Sequence, residues 1–252
     1  MSHRRIEVLQ RPVGRGWIQA TLHHAEPPRA SLLVVPPFFH EWQRSYRLFA
    51  LLADALASRG VVVLRFDYRG CGESSGDDAD FLPSRALDDA DAALRLLRER
   101  CSAPPTLLGI RGGALIAERM AEQHRLPWWA WQPAEDGKDH LESLRNLDRK
   151  ERNNRNRFPF LRHTQAEASG ELMGHRVHPE FHLELGIFRR ASVPAWRIDT
   201  AEACEGSDLV LPPEFSAWPG QIDLQGALPL AAINNAAERL AERLVAICGE
   251  SA

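Results

Sequence analysis

Residues 106–117 read TLLGIRGGALIA. A short apolar run, Thr106 to Ile110, meets paired glycines, and small apolar residues from Ala114 begin a helix. The stretch therefore predicts a strand, a sharp turn and a helix. Gly109-Ile110-Arg111-Gly112-Gly113 has the spacing of the G-x-S-x-G nucleophile elbow, whose glycines permit the strained turn that lifts the middle side chain above a sheet. The middle residue is Arg111, a permanently charged guanidinium that cannot attack a carbonyl.

The flanking sequence repeats the strand-helix alternation. Upstream, SLLVV (31–35) and VVVLRFD (61–67) are nearly continuous apolar runs of the kind found in strands covered on both faces. Between them Tyr46, Phe49, Ala50, Leu52, Ala53 and Leu56 recur at helical spacing, with Gly60 placed as a C-terminal cap. Leu87, Ala90, Ala93, Leu94 and Leu97 predict a second helix over 84–100. Residues 5–10 and 17–24, around Pro12, Gly14 and Gly16, predict a hairpin at the sheet edge. Downstream come a tryptophan-rich strand, WWAWQP (128–133), a strand at 193–199 (VPAWRID), a short run near 221–224, and a closing helix over 231–247. From Ala134 to about Arg190 the chain is polar and helix-compatible, with no buried-strand run. The expected fold class is α/β, a doubly wound and mostly parallel sheet, with a core of 1–133 and 191–252 and a cap insertion at 134–190 over the strand ends.

Composition excludes several classes. The 252 residues are 44% hydrophobic and 26% charged, enough for one sizeable core, and the formal net charge of −3 offers no basic field for nucleic acid. MSHRRIEVLQ lacks a signal-peptide core and no apolar stretch reaches the length of a membrane span, so a cytoplasmic protein is expected. Cys71, Cys101, Cys204 and Cys248 are scattered, without C-x-x-C spacing, and read as ordinary thiols. His175, His178 and His182 cluster around Pro179 without a completing carboxylate or cysteine, so no metal is expected. No cofactor is expected.

Four segments carry a family resemblance: PPFFHEWQRSYR after the first buried strand, LRFDYRGCGESSG after the second, GIRGGALIA at the elbow, and WQPAEDGKDHLESLR after the next strand. Together they resemble the α/β-hydrolase fold, and more narrowly the exosortase-system-associated hydrolases and related serine-aminopeptidase-like proteins, some of which also have a G-x-R-x-G elbow. The resemblance implies a triad in the chain order nucleophile, acid, histidine. The nucleophile position is Arg111 and the acid position Asp199, followed by Asp208. The histidine would sit near 223–230, yet the ten histidines end at His182. Ser and His are thus missing together.

The resemblance also implies an oxyanion hole from the backbone N–H of Gly112 and one from the Pro37–His40 loop, so Phe38, Phe39, His40, Glu41, Arg111 and Gly112 are the candidate ligand-binding residues. Arg111 is read either as an anion-binding group or as a plug paired with a carboxylate, with Glu41, Asp67 and Asp199 the candidates. Three functions stay open: a non-catalytic protein binding a small anionic ligand or a partner protein, in an exosortase-type polysaccharide or peptide-processing system; a hydrolase or acyl transferase with unorthodox residues; and a structural subunit.

Overall fold

The computed structural model describes residues 5–154, 156, 160, 170–200, 206–212, 215 and 230–250. Among the described residues the main sheet has eight strands: β1 (Ile6–Val13), β2 (Gly16–His23), β3 (Ala30–Val35), β4 (Val61–Phe66), β5 (Pro105–Ile110), β6 (Trp128–Trp131), β9 (Trp196–Thr200) and β10 (Leu209–Leu211). The spatial order is β1-β2-β4-β3-β5-β6-β9-β10, antiparallel at β1-β2 and β2-β4 and parallel elsewhere. β3, β4, β5 and β6 are buried along their whole lengths, in keeping with their largely apolar sequences.

Helices cover both faces. α1 (Phe39–Ala57) and α6 (Leu230–Glu250) pack on one, over Leu32, Val34, Leu108, Ile110, Trp129 and Trp131; α2 (Pro83–Arg100) and α3 (Gly113–His124) cover the other, over Leu33, Val35, Leu64, Leu107 and Ala130. The tryptophans of WWAW divide by strand alternation: Trp129 and Trp131 enter the first core and Trp128 the second. They are packing residues.

Between β6 and β9 the insertion holds α4 (Gly137–Arg152), a small hairpin of β7 (Glu171–Leu172) and β8 (His175–Arg176), and α5 (Phe181–Gly186). α4 starts where Asp136 accepts from the backbone N–H groups of Lys138 and Asp139. Phe181 of α5 is fully buried against Phe39 and Phe81.

Three expectations need correction. The helix after β3 begins at Phe39, not near Tyr46, so His40 and Glu41 lie in its first turn and not on a loop. Its first turns bury polar His40, Glu41 and Ser45 among the aromatic Phe39 and Trp42, which blurs the apolar period. Leu209–Leu211, expected as loop, adds strand β10. The insertion is more regular than its polarity suggested, because α4 buries only one narrow stripe that includes His140, Leu141 and Leu144. The run at 221–224 and the expected histidine loop to residue 229 lie outside the described residues.

Candidate functional site at the elbow

The strand order reverses between β3 and β5: the chain leaves β3 toward β4 on one side and continues from β5 toward β6 on the other. At such a switch point the segments leaving the two carboxyl ends part and leave a crevice. Here those segments are Pro36–Glu41 and the elbow at Arg111. Gly109 lets α3 fold back onto β5, since a Cβ there would lie 2.6 Å from the Ala114 Cα. Arg111 itself has φ of 51°, the strained left-handed conformation expected of an elbow residue. Its backbone is clamped, with N–H donating to the Trp131 carbonyl at 3.1 Å and its own carbonyl accepting from Ala134 at 3.0 Å.

The guanidinium is spoken for. Nε donates to Glu41 Oε1 at 3.1 Å and Nη1 to the Gln132 carbonyl at 3.2 Å. Glu41 is buried, whereas the Arg111 side chain is 24% exposed. Of the carboxylates anticipated from sequence, Glu41 is the one that meets Arg111. Asp67 instead accepts from Trp42 Nε1 at 2.6 Å and the Glu73 N–H at 3.1 Å, and burial raises its pKa. Asp199, the triad-acid position, is held by Arg197 Nε and Ser207 Oγ, each at 2.7 Å. Arg197 also reaches Glu135 at 2.7 Å, which ties β9 to the segment leading into α4.

The sequence reading did not single out His140 or Gln132. His140 comes from α4 and packs on the elbow: a Cβ on Gly112 would lie 2.8 Å from His140 Nε2 and 2.6 Å from the Phe38 ring. Its Nε2 is 3.8 Å from Glu41 Oε2, too long for a hydrogen bond, and among the described residues both atoms lack one. Burial lowers the His140 pKa, with Arg111 adding to the effect against Glu41, so the ring is neutral. His40 is likewise buried and pushed down to about 4, chiefly by desolvation. Arg111 and Glu41 therefore form a charge-balanced pair among neutral imidazoles. The signal for His140 was its place in WQPAEDGKDHLESLR; nothing local marked it as facing the elbow.

Burial with nearby Asp78, Asp67 and Asp89 raises the Cys71 thiol, which stays protonated. Above Gly112 stands the Phe38 ring, in edge contact with His140 and Tyr68 and tilted against Phe81. Phe39 turns toward the insertion, against Phe181 and His175. His175 Nδ1 in turn bonds Asp78 at 3.0 Å. Two surface grooves, of about 510 and 440 Å³, are lined by Arg29, Arg59 and α6 and by Arg15, Arg69 and Arg85; neither is lined by Arg111 or Glu41.

Residues 26–131 match the serine aminopeptidase (S33) family. That match covers less than half of the 252 residues. With a switch-point elbow on a mostly parallel sheet, the chain has the α/β-hydrolase fold. Solved α/β-hydrolase-fold structures agree over nearly the whole chain. Est1E from Butyrivibrio proteoclasticus with bound ferulic acid aligns at 15% identity over 94% of this chain and 99% of its own, with a TM-score of 0.59. A hydrolase from Agrobacterium vitis S4 aligns at 18% identity over 94% and 99%, with a TM-score of 0.57. An α/β serine hydrolase without a lid from Xanthomonas campestris aligns at 21% identity over 52% of this chain, with a TM-score of 0.45, and the chain spans 62% of its length. No curated protein sequence matches. Among the described residues no helix is long and apolar enough to cross a membrane.

Proposed function

We infer that this α/β-hydrolase is non-catalytic and uses the strand-end surface of its core, covered by a cap of 134–190, to bind a ligand or partner protein. The observation that carries the reading is the Arg111–Glu41 ion pair, which occupies the turn where a nucleophile would stand. A guanidinium bonded to a carboxylate neither attacks a carbonyl nor transfers a proton near neutral pH. Arg111 and Gly112, with Phe38, Phe39, His40 and Glu41, are the proposed ligand-binding residues. The exposed quarter of the Arg111 side chain is the part a small anion could reach. The resemblance of its four segments supports a role beside exosortase-type polysaccharide or peptide processing, and the proposed location is cytoplasmic.

One observation favours the alternative, a hydrolase or acyl transferase with unorthodox residues: His140 brings a neutral imidazole to the elbow. Among the described residues, the hydroxyls and thiol nearest the elbow segments are already engaged. Ser45 Oγ bonds the Glu41 carbonyl at 2.7 Å, Ser74 Oγ bonds the Asp67 carbonyl at 2.6 Å, and the Cys71 thiol is held protonated. Incubation with a fluorophosphonate and with short p-nitrophenyl esters tests the choice. The expected result is no mass adduct and no turnover above buffer; a stoichiometric adduct or saturable turnover would overturn the non-catalytic reading.

A further inference from the structure

The first strand ends the sheet, and the hydrogen-bond register shows which of its backbone groups are left over. The His24 N–H donates to the Arg5 carbonyl, and the Asp67 N–H to the Gln19 carbonyl. In antiparallel pairing, bonded and non-bonded pairs alternate, so the odd residues of β2 face β4 and its even residues face β1. The odd residues of β1 are then spent on β2, and Ile6, Val8, Gln10 and Pro12 turn their backbones to the open edge. Pro12 agrees with this phase: its missing N–H falls on the side where no described strand pairs. The same even residues carry exposed side chains, with Ile6 49% and Val8 62% exposed, while Leu9 packs on the core beside α2.

A long, regular edge of this kind is a template for another strand. We propose that its occupant is a second copy of this chain, with β1 pairing antiparallel to β1 of the partner across a two-fold axis at Leu9. The strand is complementary to its own reverse in that register. Glu7 meets Arg11 of the other copy, Leu9 meets Leu9, Val8 meets Gln10, and Ile6 meets Pro12. The outward backbone groups of Val8 and Gln10 face each other as a bonded pair, and the Ile6 N–H faces the Pro12 carbonyl. Charge along the seam is balanced, because Glu7 already pairs with Arg100 and His24, and Arg11 with Glu99. The face opposite α2 would gain an apolar strip of Ile6, Val8 and the other copy's Pro12.

Sedimentation equilibrium of the full chain, combined with cysteine scanning, tests this. The expected result is a dimer, with Leu9→Cys forming a disulfide-linked dimer under mild oxidation and Val8→Cys forming at least tenfold less, since Leu9 alone faces its own copy. Gln10→Pro removes an outward N–H only and Val8→Lys charges an exposed site. Each should give a folded monomer by circular dichroism and mass. A monomeric wild type, a dimer that survives both variants, or cross-linking through Val8 instead of Leu9 would overturn the proposal.

Discussion

Arg111 combines two costs that only its partners offset. A non-glycine residue at positive φ costs on the order of 1–2 kcal/mol, and a carboxylate as buried as Glu41 is expensive when left alone. Arg111→Ala should therefore destabilise the fold by about 3 kcal/mol, the low end of what breaking a buried pair costs, because the guanidinium is partly hydrated already. Urea denaturation measures this; a loss under 1 kcal/mol would mean the pair is slack. The buried imidazoles make a second prediction. His40, at about 4, His140 and His23 all have folded pKa values lowered mainly by burial, so below pH 6.5 the unfolded chain takes up protons that the folded chain refuses. Their stability contribution is present above pH 6.5 and is lost as pH falls toward 4, by up to about 1.4 kcal/mol per pH unit for each group. His40→Gln should flatten that slope in denaturation curves between pH 7 and 5; an unchanged slope would show that His40 does not contribute. At this scale the sequence told much about Arg111, since glycine spacing marks the strained turn, and named Glu41 among three carboxylates. It was silent on His140, whose approach depends on how α4 docks, and a helix's docking angle leaves no trace in the spacing of GKDHLESLR.

Among the elements, the insertion is fastened by a few identifiable contacts. Glu184 of α5 accepts from the Ser84 N–H at 2.9 Å and its hydroxyl at 3.0 Å, Arg176 reaches Asp77 at 2.8 Å, and Phe181 fills the aromatic cluster. The polar contacts are exposed and each is worth little, so Phe181 is the anchor. Phe181→Ala should accelerate hydrogen exchange across 171–186 at least tenfold while β4 and β5 keep wild-type protection. Equal acceleration in both regions would mean the insertion and core open as one unit, against a separable cap. Strands buried on both faces were legible because β3, β4 and β5 are dominated by apolar residues, with Ser31, Arg65 and Thr106 the polar exceptions. The start of α1 was not, since buried His40 and Glu41 stand between buried Phe39 and Trp42 and blur the apolar period. β10 was hidden in a three-residue run, too short to show a period.

For the molecule as a whole, the elbow stands at the switch point of the sheet and its charged groups are paired within the chain. The switch point between β3 and β5 follows from the strand order; the alternation of runs implied a parallel sheet but not that order. What the alternation could not convey is that the acid position Asp199 now answers to Arg197, and the nucleophile position to Glu41, each from a different element. The measurement that tests this most directly is a double-mutant cycle on Arg111→Met and Glu41→Gln, read by urea denaturation at pH 7. A committed ion pair predicts a coupling of about 2 kcal/mol, with the double variant more stable than the sum of the single losses allows. Additive losses, with coupling below about 0.5 kcal/mol, would contradict it and return Arg111 to the role of a free cation at the elbow.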